Sequence, residues 1–297
     1  MRFVANISND VIANIENSDT SVETALQEVS TGQKVNQPSD DPAAAAAMVE
    51  LQAQGANIDQ YTSNTESVLS QAQDADSVLT SVVSLLNQAI TLGTEGANTY
   101  EAASDRDSIA SQVSGLLSSV VSLANTTYQG ISLFGGTVNG TAFTADSSSS
   151  TGYTYNGNSS VNTVQVGASL SVQANIPGDT LFTASGSSVL GALSDLATAL
   201  KTGTSAQIGS ATTEITTALN YVSDQHAVYG NTINQLQSQE TYLASDTVSL
   251  STTETSLVGI DTATAAEDLT QAETDNNAVL SASAKVLQNT LLTYLPN

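Results

Sequence analysis

The sequence has no cysteine and no tryptophan, one histidine, and only five lysines and arginines in 297 residues. Each shortage removes a class of chemistry. Without cysteine there is no disulfide framework, no thiolate zinc site and no cysteine nucleophile. A single histidine allows at most one Ser-His-Asp triad. Five scattered cations cannot neutralise a run of phosphates, so nucleic acid is not an expected partner. An anionic membrane surface is excluded on the same ground, and no apolar run reaches the roughly 18 residues of a membrane span. The first ten residues, Met1 to Asp10, lack an apolar h-region, so a cleaved signal peptide is not expected. Aromatics make up 4% and charged residues 11% of the chain, the latter against about 25% in ordinary soluble domains.

What remains is acidic and small. Aspartate and glutamate number 29, for a formal net charge of -24. Serine, threonine, asparagine, glutamine and alanine fill much of the rest, and bulky side chains are few. This composition suits slender helices packed along Ala, Leu and Val seams better than a thick core. The surplus of acids reads as a solvated face, with reduced non-specific sticking as its functional alternative.

Apolar periodicity predicts helices at both ends. Val4, Ile7, Val11, Ile15, Val22, Ala25 and Val29 recur at spacings of three, four or seven, giving a first helix over roughly 4–30. Thr31-Gly32 stops it, and Asp41-Pro42, an N-cap followed by proline at the first helical position, starts the next. That second helix runs to about Leu92 on a heptad seam that includes Leu51, Leu69, Leu79 and Leu86 and is diluted by Gly55, two threonines and Asp76. Gly93 to Ala103 reads as a break. Ser104 and Asp107 form a capping box opening a third helix. From about 205 to 257, Ile215, Val222, Tyr229, Leu236, Leu243, Leu250 and Leu257 recur every seven residues, while the companion position turns polar towards Glu240 and Glu254. Val258 to Thr264 interrupts this helix, and 265–295 forms a last one with Leu280, Leu287, Leu291 and Tyr294 among its apolar residues.

Between these helical ends the pattern changes. From about 130 to 186 glycine, serine and threonine dominate. Asn156-Gly157 after Tyr153-Thr154-Tyr155 reads as a hairpin turn. Val164 and Val166, then Leu170, Val172, Ala174 and Ile176, alternate at period two, and Leu181-Phe182 begins another short strand. The predicted fold is mainly α: a long coiled-coil bundle of paired N- and C-terminal segments with a small antiparallel β insertion. The expected division is terminal helices at 1–40 and 260–297, a coiled-coil bundle at 41–134 and 187–259, and a β-rich outer domain at 135–186.

Sites of chemistry are scarce. His226 lies on the seam beside Val222 and Tyr229 with no cluster of acids, so it reads as a seam residue that sets register or meets a polar partner, not a catalytic or metal site. Asp40-Asp41 reads as helix capping, not a cation site. Phe134-Gly135-Gly136-Thr137 lacks the lysine and spacing of a phosphate loop and reads as a turn. Tyr153 and Tyr155 read as cross-strand packing. No catalytic residue, cofactor site or metal site is expected. Asn6, Asn125, Asn139 and Asn158 head Asn-x-Ser/Thr triplets of the frequency such a composition produces by chance.

Four stretches carry a resemblance to the bacterial flagellin superfamily, and within it to the proteins of the hook–filament junction. Ser30 to Pro42 reads Ser-Thr-Gly-Gln-Lys-Val-Asn-Gln-Pro-Ser-Asp-Asp-Pro. Leu123-Ala124-Asn125-Thr126 is followed by Leu133-Phe134-Gly135-Gly136-Thr137. Gly178 to Phe182 resembles a strand preceding the return helices. Leu291-Leu292-Thr293-Tyr294-Leu295 resembles the C-terminal motif. Ile131-Ser132 departs from the junction pattern, and Gln129-Gly130 is similar to filament flagellin.

The resemblance implies an extracellular, non-enzymatic building block exported unfolded through the flagellar type III apparatus. It implies an adaptor at the hook–filament junction, with a filament flagellin as the alternative; a surface adhesin with a ligand-binding β insertion is a further, different reading. The implied partners are copies of itself in a ring or helical array, the other junction protein, flagellin, and an export chaperone on the C-terminal helix. The expected assembly residues are Ile7, Val11, Ile15, Leu280, Leu287, Leu291 and Tyr294; the expected seam is Leu51, Leu69, Leu79, Leu86, Leu236, Leu243, Leu250 and Leu257.

Overall fold

The four prolines stand at 38, 42, 177 and 296, and none lies beyond the first residue of a described helix. Long helices can therefore run unbroken. The computed structural model describes residues 2–98 and 103–292, with side chains over 9–98 and 103–286. In chain order the elements are α1 (Arg2–Thr31), α2 (Pro42–Gly96), α3 (Ala103–Ala124), β1 (Thr127–Tyr128), β2 (Ile131–Ser132), β3 (Phe143–Ala145), β4 (Tyr153–Tyr155), β5 (Thr163–Gln165), β6 (Ser171–Gln173), α4 (Gly178–Phe182), α5 (Val189–Thr202), α6 (Ser205–Val258) and α7 (Thr262–Leu292). The fold is a mainly helical bundle with small antiparallel strand pairs, as the sequence predicts. The chain divides into two compact units, Met1–Asn57 with Ser245–Asn297, and Ile58–Ala244.

In the second unit the seam of α2 is offset from the predicted one. Thr65, Val68, Ala72, Ala75, Leu79, Val82, Leu86 and Ala89 are buried. One line of the predicted heptad, through Leu79 and Leu86, is therefore central. The other line sits one residue earlier than expected, so Leu69, Asp76, Val83 and Ile90 lie at the half-buried margin. The cause is the third helix. A two-stranded seam needs one narrow stripe, but α2 here also contributes to a core with Ile109, Val113 and Val120 of α3, which widens the buried arc. On α6 the regular line holds: Ile215, Val222 and Leu236 are fully buried, and Tyr229 and Leu243 nearly so. The Tyr229 hydroxyl accepts the backbone N–H of Ile176 at 3.1 Å, and burial pushes its pKa up to about 12.

Two glycines read as helix breakers are helical. Gly93 and Gly96 lie within α2, and a Cβ on either would collide with neighbouring side chains, Thr212 and Leu196 at Gly93 and Leu200 at Gly96. Their value is close helix approach, so α2 extends to Gly96. Ser104 is likewise already inside α3, its carbonyl accepting from the Ser108 hydroxyl at 3.0 Å, so it is not the cap; residues 99–102 lie outside the described residues.

The scarce aromatics are concentrated. Phe134, Phe143 and Phe182 are buried and meet edge to face, with centroids 5.3 Å apart for Phe134–Phe182 and 5.7 Å for Phe143–Phe182. Tyr155 packs against Phe143 with centroids 5.1 Å apart and the rings tilted by 43°. Its hydroxyl, 2.9 Å from the Phe134 carbonyl, is committed to packing, as read from the sequence. Asn125 ends α3 with a two-point clamp on Phe143, accepting its N–H at 2.7 Å and donating to its carbonyl at 2.8 Å. Phe182 is not on a strand. Gly178–Phe182 is one helical turn, which drops Leu181 and Phe182 together into the core.

The hairpin turn also differs from expectation. β4 pairs with the earlier β3, Phe143 opposite Tyr155, so the turn is the stretch from Asp146 to Gly152. Asp146 organises it: the Ser148 and then the Thr154 hydroxyls hold its carboxyl down at about 2, and Gly152 takes φ +76°. Gly157 is needed instead because a Cβ there would strike the Tyr155 ring. β5 and β6 pair with Val164 opposite Val172. This hairpin lies back on the helices, its Val166 and Val172 packed with Val68 and Leu236. Gln239 donates to the Val166 carbonyl at 3.0 Å and Asn64 to the Gln165 carbonyl at 2.7 Å.

Candidate assembly surface

Within the first unit, the stretch from Thr31 to Pro42 makes a tight corner held by local hydrogen bonds. Gly32 closes α1 at φ +69°, its N–H donating to the Glu28 carbonyl at 2.9 Å. The Asn36 side chain donates to the Gln33 carbonyl at 2.8 Å. Asp40 accepts from the N–H groups of Asn36 and Gln37 at 3.0 and 2.8 Å. Asp41 caps α2, accepting from Ala43 and Ala44 at 2.9 and 3.0 Å. Both aspartates are therefore capping and turn residues.

A second corner answers the first. Asp261 caps α7 through the Ala263 N–H at 2.9 Å, and the two corners are joined by main chain. Lys34 N–H donates to the Val258 carbonyl at 2.7 Å and Ile260 N–H to the Gly32 carbonyl at 3.1 Å, with Gln33 bridging Gly259. This junction sets the end of α1 beside the start of α7. Along the pair, Asn276 donates to the Asp19 carboxylate at 2.6 Å.

Burial within this hairpin is sparse. Ala25 and Ala265 are buried, as are Ala44 and Val258 at the corners and Ser283 on α7. Apolar side chains stand open: Ile12 is 50% exposed, Leu26 56%, Val29 36%, Leu280 46% and Val286 38%. Of the assembly residues expected from sequence, Val11 and Ile15 are half-buried and Leu280 is exposed. Only the helical backbone is described for Ile7, Leu287 and Leu291, and Tyr294 lies outside the described residues. Ile12 and Leu26 were missed by the sequence reading because they fall beside the apolar stripe, not on it. The signal was present in their spacing of fourteen, two heptads along one line of the helix. Of the seam residues, Leu79, Leu86, Leu236 and Leu243 are buried, while Leu51, Leu69, Leu250 and Leu257 are half-buried.

His226 has the polar partner anticipated for it. Its Nε2 lies 2.7 Å from the Asp76 carboxylate and 3.4 Å from the Thr80 hydroxyl. The offset of the α2 seam explains the pair, since it leaves Asp76 at the margin where a polar contact across α2 and α6 is tolerated. Among the described residues no group of three or more His, Asp or Glu side chains is arranged to hold a metal. Helix α2 is long and apolar enough to cross a membrane by length and composition alone, and its Leu79, Val82 and Leu86 are spent in the helical core.

Residues 5–139 match the bacterial flagellin N-terminal helical region. The flagellin of Clostridium tyrobutyricum is 26% identical over 121 residues, 41% of this chain and 32% of its own length; the chain thus aligns with about a third of that relative. Among solved structures, a Vibrio parahaemolyticus chain provisionally described as a flagellar hook-associated protein superposes with a TM-score of 0.66 at 22% identity, over 73% of this chain and 99% of the other. The flagellar junction protein FlgL from Legionella pneumophila gives a TM-score of 0.61 at 15% identity, over 72% and 100%. Residues 5–139 thus match the bacterial flagellin N-terminal helical region, and the chain has the fold of the flagellar hook-associated proteins.

Proposed function

We propose that the chain is a structural component of the bacterial flagellum, an adaptor at the hook–filament junction on which the filament assembles. The carrying observation is the α1–α7 hairpin, whose Ile12, Leu26 and Leu280 are half or more open to solvent or close to it in a fold matched along almost the whole length of hook-associated chains. A helix pair that buries mostly alanine gains little from its own packing, and neighbouring copies supply the missing contacts. In this reading 1–40 and 260–297 are the assembly helices, with Ile7, Val11, Ile15, Leu280, Leu287, Leu291 and Tyr294 on their contact faces, and 135–186 is the outer domain. The partners are further copies in a ring or helical array, the other junction protein and flagellin, outside the cell, with an export chaperone holding the C-terminal helix beforehand. The work is geometric, not enzymatic.

A filament subunit is the second reading, favoured by the identity to the Clostridium flagellin. Electron microscopy of flagella from a strain lacking this chain separates the two. Hooks without filaments, with flagellin released to the medium, support the junction role; intact filaments overturn it. A chain truncated after residue 264 is expected to remain soluble and fail to restore filaments. In sheared filaments a trace band agrees with a junction protein and a dominant band with a filament subunit.

A further inference from the structure

We propose that Asn139-Gly140 is a self-modification site of the folded protein, where the asparagine amide is lost to give aspartate and isoaspartate, and that the fold closes the same dipeptide at Asn156-Gly157 to this reaction. Both pairs lie in the unit from Ile58 to Ala244, so the outcome leaves the assembly reading of α1 and α7 untouched.

The two pairs are alike in sequence. Glycine has no side chain to shield its backbone nitrogen, and that nitrogen can attack the side-chain carbonyl carbon of the asparagine before it. A bond forms from the Gly140 nitrogen to Cγ of Asn139, and the bond from Cγ to Nδ2 breaks. The amide leaves as ammonia, taking the proton of the Gly140 N–H. Solvent water then opens the five-membered imide at either of its carbonyls. One opening leaves aspartate. The other leaves isoaspartate, whose main chain runs through the former side-chain methylene and is one atom longer. Either product adds a negative charge. The chemistry asks for two movements: the asparagine side chain must swing onto the next peptide, and that peptide must turn to meet it.

At Asn139 neither movement is opposed. Residues 137–141 are all exposed. Gly140 stands at φ +141°, and a Cβ there would meet no neighbouring atom within 4 Å. Among the described residues no hydrogen bond holds the Asn139 side chain. The same open space accepts the longer main chain of isoaspartate.

At Asn156 both movements are blocked. Its N–H donates to the Ala142 carbonyl at 2.8 Å, which continues the β3–β4 ladder. Its side-chain amide donates to the Thr144 hydroxyl at 2.8 Å, across the hairpin. The chain beyond is pinned as well. Asn158 N–H donates to the Gly135 carbonyl at 3.2 Å, and the Asn158 side chain clasps Thr137, accepting its N–H at 2.9 Å and donating to its hydroxyl at 2.8 Å. Gly157 lies against the Tyr155 ring, and a Cβ on it would come within 2.6 Å of the Gly135 carbonyl. The extra main-chain atom of isoaspartate has no room there. Reaction at Asn156 waits for local opening, so its rate is scaled down by the population of the open form.

The test is incubation of the purified full chain in mildly alkaline buffer, folded and in guanidinium chloride, with peptide mapping of both sites by mass and of isoaspartate by elution. In denaturant the two sites are expected to convert at similar rates. In the folded chain Asn139 should keep a rate within about threefold of that value, while Asn156 slows by at least about tenfold. Equal conversion of the two sites in the folded chain overturns the proposal, as does an Asn139 protected as strongly as Asn156. Asn139→Gln, whose longer side chain disfavours ring closure, should abolish the acidic species that the folded parent accumulates on ion exchange; persistence of that species at the parent's rate also overturns it. Thr144→Val, with helicity unchanged by circular dichroism, should raise the folded-state rate at Asn156 and leave both the rate in denaturant and the rate at Asn139 as they were. An unmoved Asn156 rate in that variant removes the Thr144 hydroxyl from the closing mechanism.

Discussion

Leu79 and Leu86 of α2 are sealed from solvent, whereas Leu26 of α1 is 56% exposed. All three lie on long helices of the same small, weakly charged alphabet, and the difference is in what surrounds them. In the unit from Ile58 to Ala244, α2 contributes to a core with α3, α5 and α6 and an aromatic cluster, so several elements share each buried face. In the other unit α1 lies against α7, and what that contact buries includes Ala25 and Ala265. A helix that covers alanine gains about a third of what one covering leucine gains, on the usual scale of about 25 cal/mol per Å². One unit is finished by its own chain. The other is held in register by its capped corners and leaves its larger side chains unspent.

The largest blow to this comparison is expected at Leu86. Leu86→Ala removes a fully buried side chain from a core with little room to collapse, and should cost about 2–5 kcal/mol in denaturant unfolding. A cost below 1 kcal/mol would show that the larger unit is no better sealed than the hairpin. Gly93→Ala tests the same core from its tightest point. The added methyl meets the Thr212 hydroxyl and the Leu196 side chain, so a loss of about 1–3 kcal/mol is expected despite alanine's better helix propensity. Pairing it with Thr212→Ala should recover part of the loss, and no recovery would mean the clash lies with Leu196.

These two positions also show what could be read in advance. Helix starts at Pro42 and the heptad line of α6 were legible because capping and periodicity are local. Gly93 was not, because a glycine that admits a neighbouring helix looks in sequence like a glycine that ends one. The offset of the α2 seam was hidden for a related reason: its width depends on α3, which periodicity within α2 cannot report. Asn156-Gly157 carried the strongest turn signal in the insertion, yet the turn was made at Asp146 to Gly152, where side-chain hydroxyls on one carboxylate do the shaping. The exposed apolar residues of α1 were legible in kind, as apolar stripes at both ends of the chain, but Ile12 and Leu26 needed the structure to be told from Val11 and Ile15.

Tyr229 offers a smaller, titratable test of the closed unit. Burial holds its hydroxyl proton to about pH 12, against about 10 in an unfolded chain. Folding thus favours the protonated form: the stabilisation is complete below pH 10 and is lost as pH rises towards 12. Tyr155, raised by its own burial, adds in the same direction. Tyr229→Phe should remove about 1.4 kcal/mol per pH unit from the alkaline fall in stability. At neutral pH it should cost about 1–3 kcal/mol, because it strands the buried N–H of Ile176. An unchanged alkaline slope would place the ionising group elsewhere.

The smallest expected effect on folding is the most informative. Ile12→Ala with Leu26→Ala removes two large side chains that are 50% and 56% exposed, so each should shift the stability of the isolated chain by no more than about 0.5 kcal/mol. Helicity should be retained, since alanine is the better helix former. If these residues were merely tolerated on the surface, association would be equally indifferent to their loss. If the hairpin is the unfinished half of an interface, the same double variant should sediment as a monomer under conditions in which the parent associates, and should fail to support filament growth. A variant as stable as its parent and as able to assemble would erase the distinction between the two units, whereas loss of assembly at constant stability would locate the missing contacts of α1 in a neighbouring molecule.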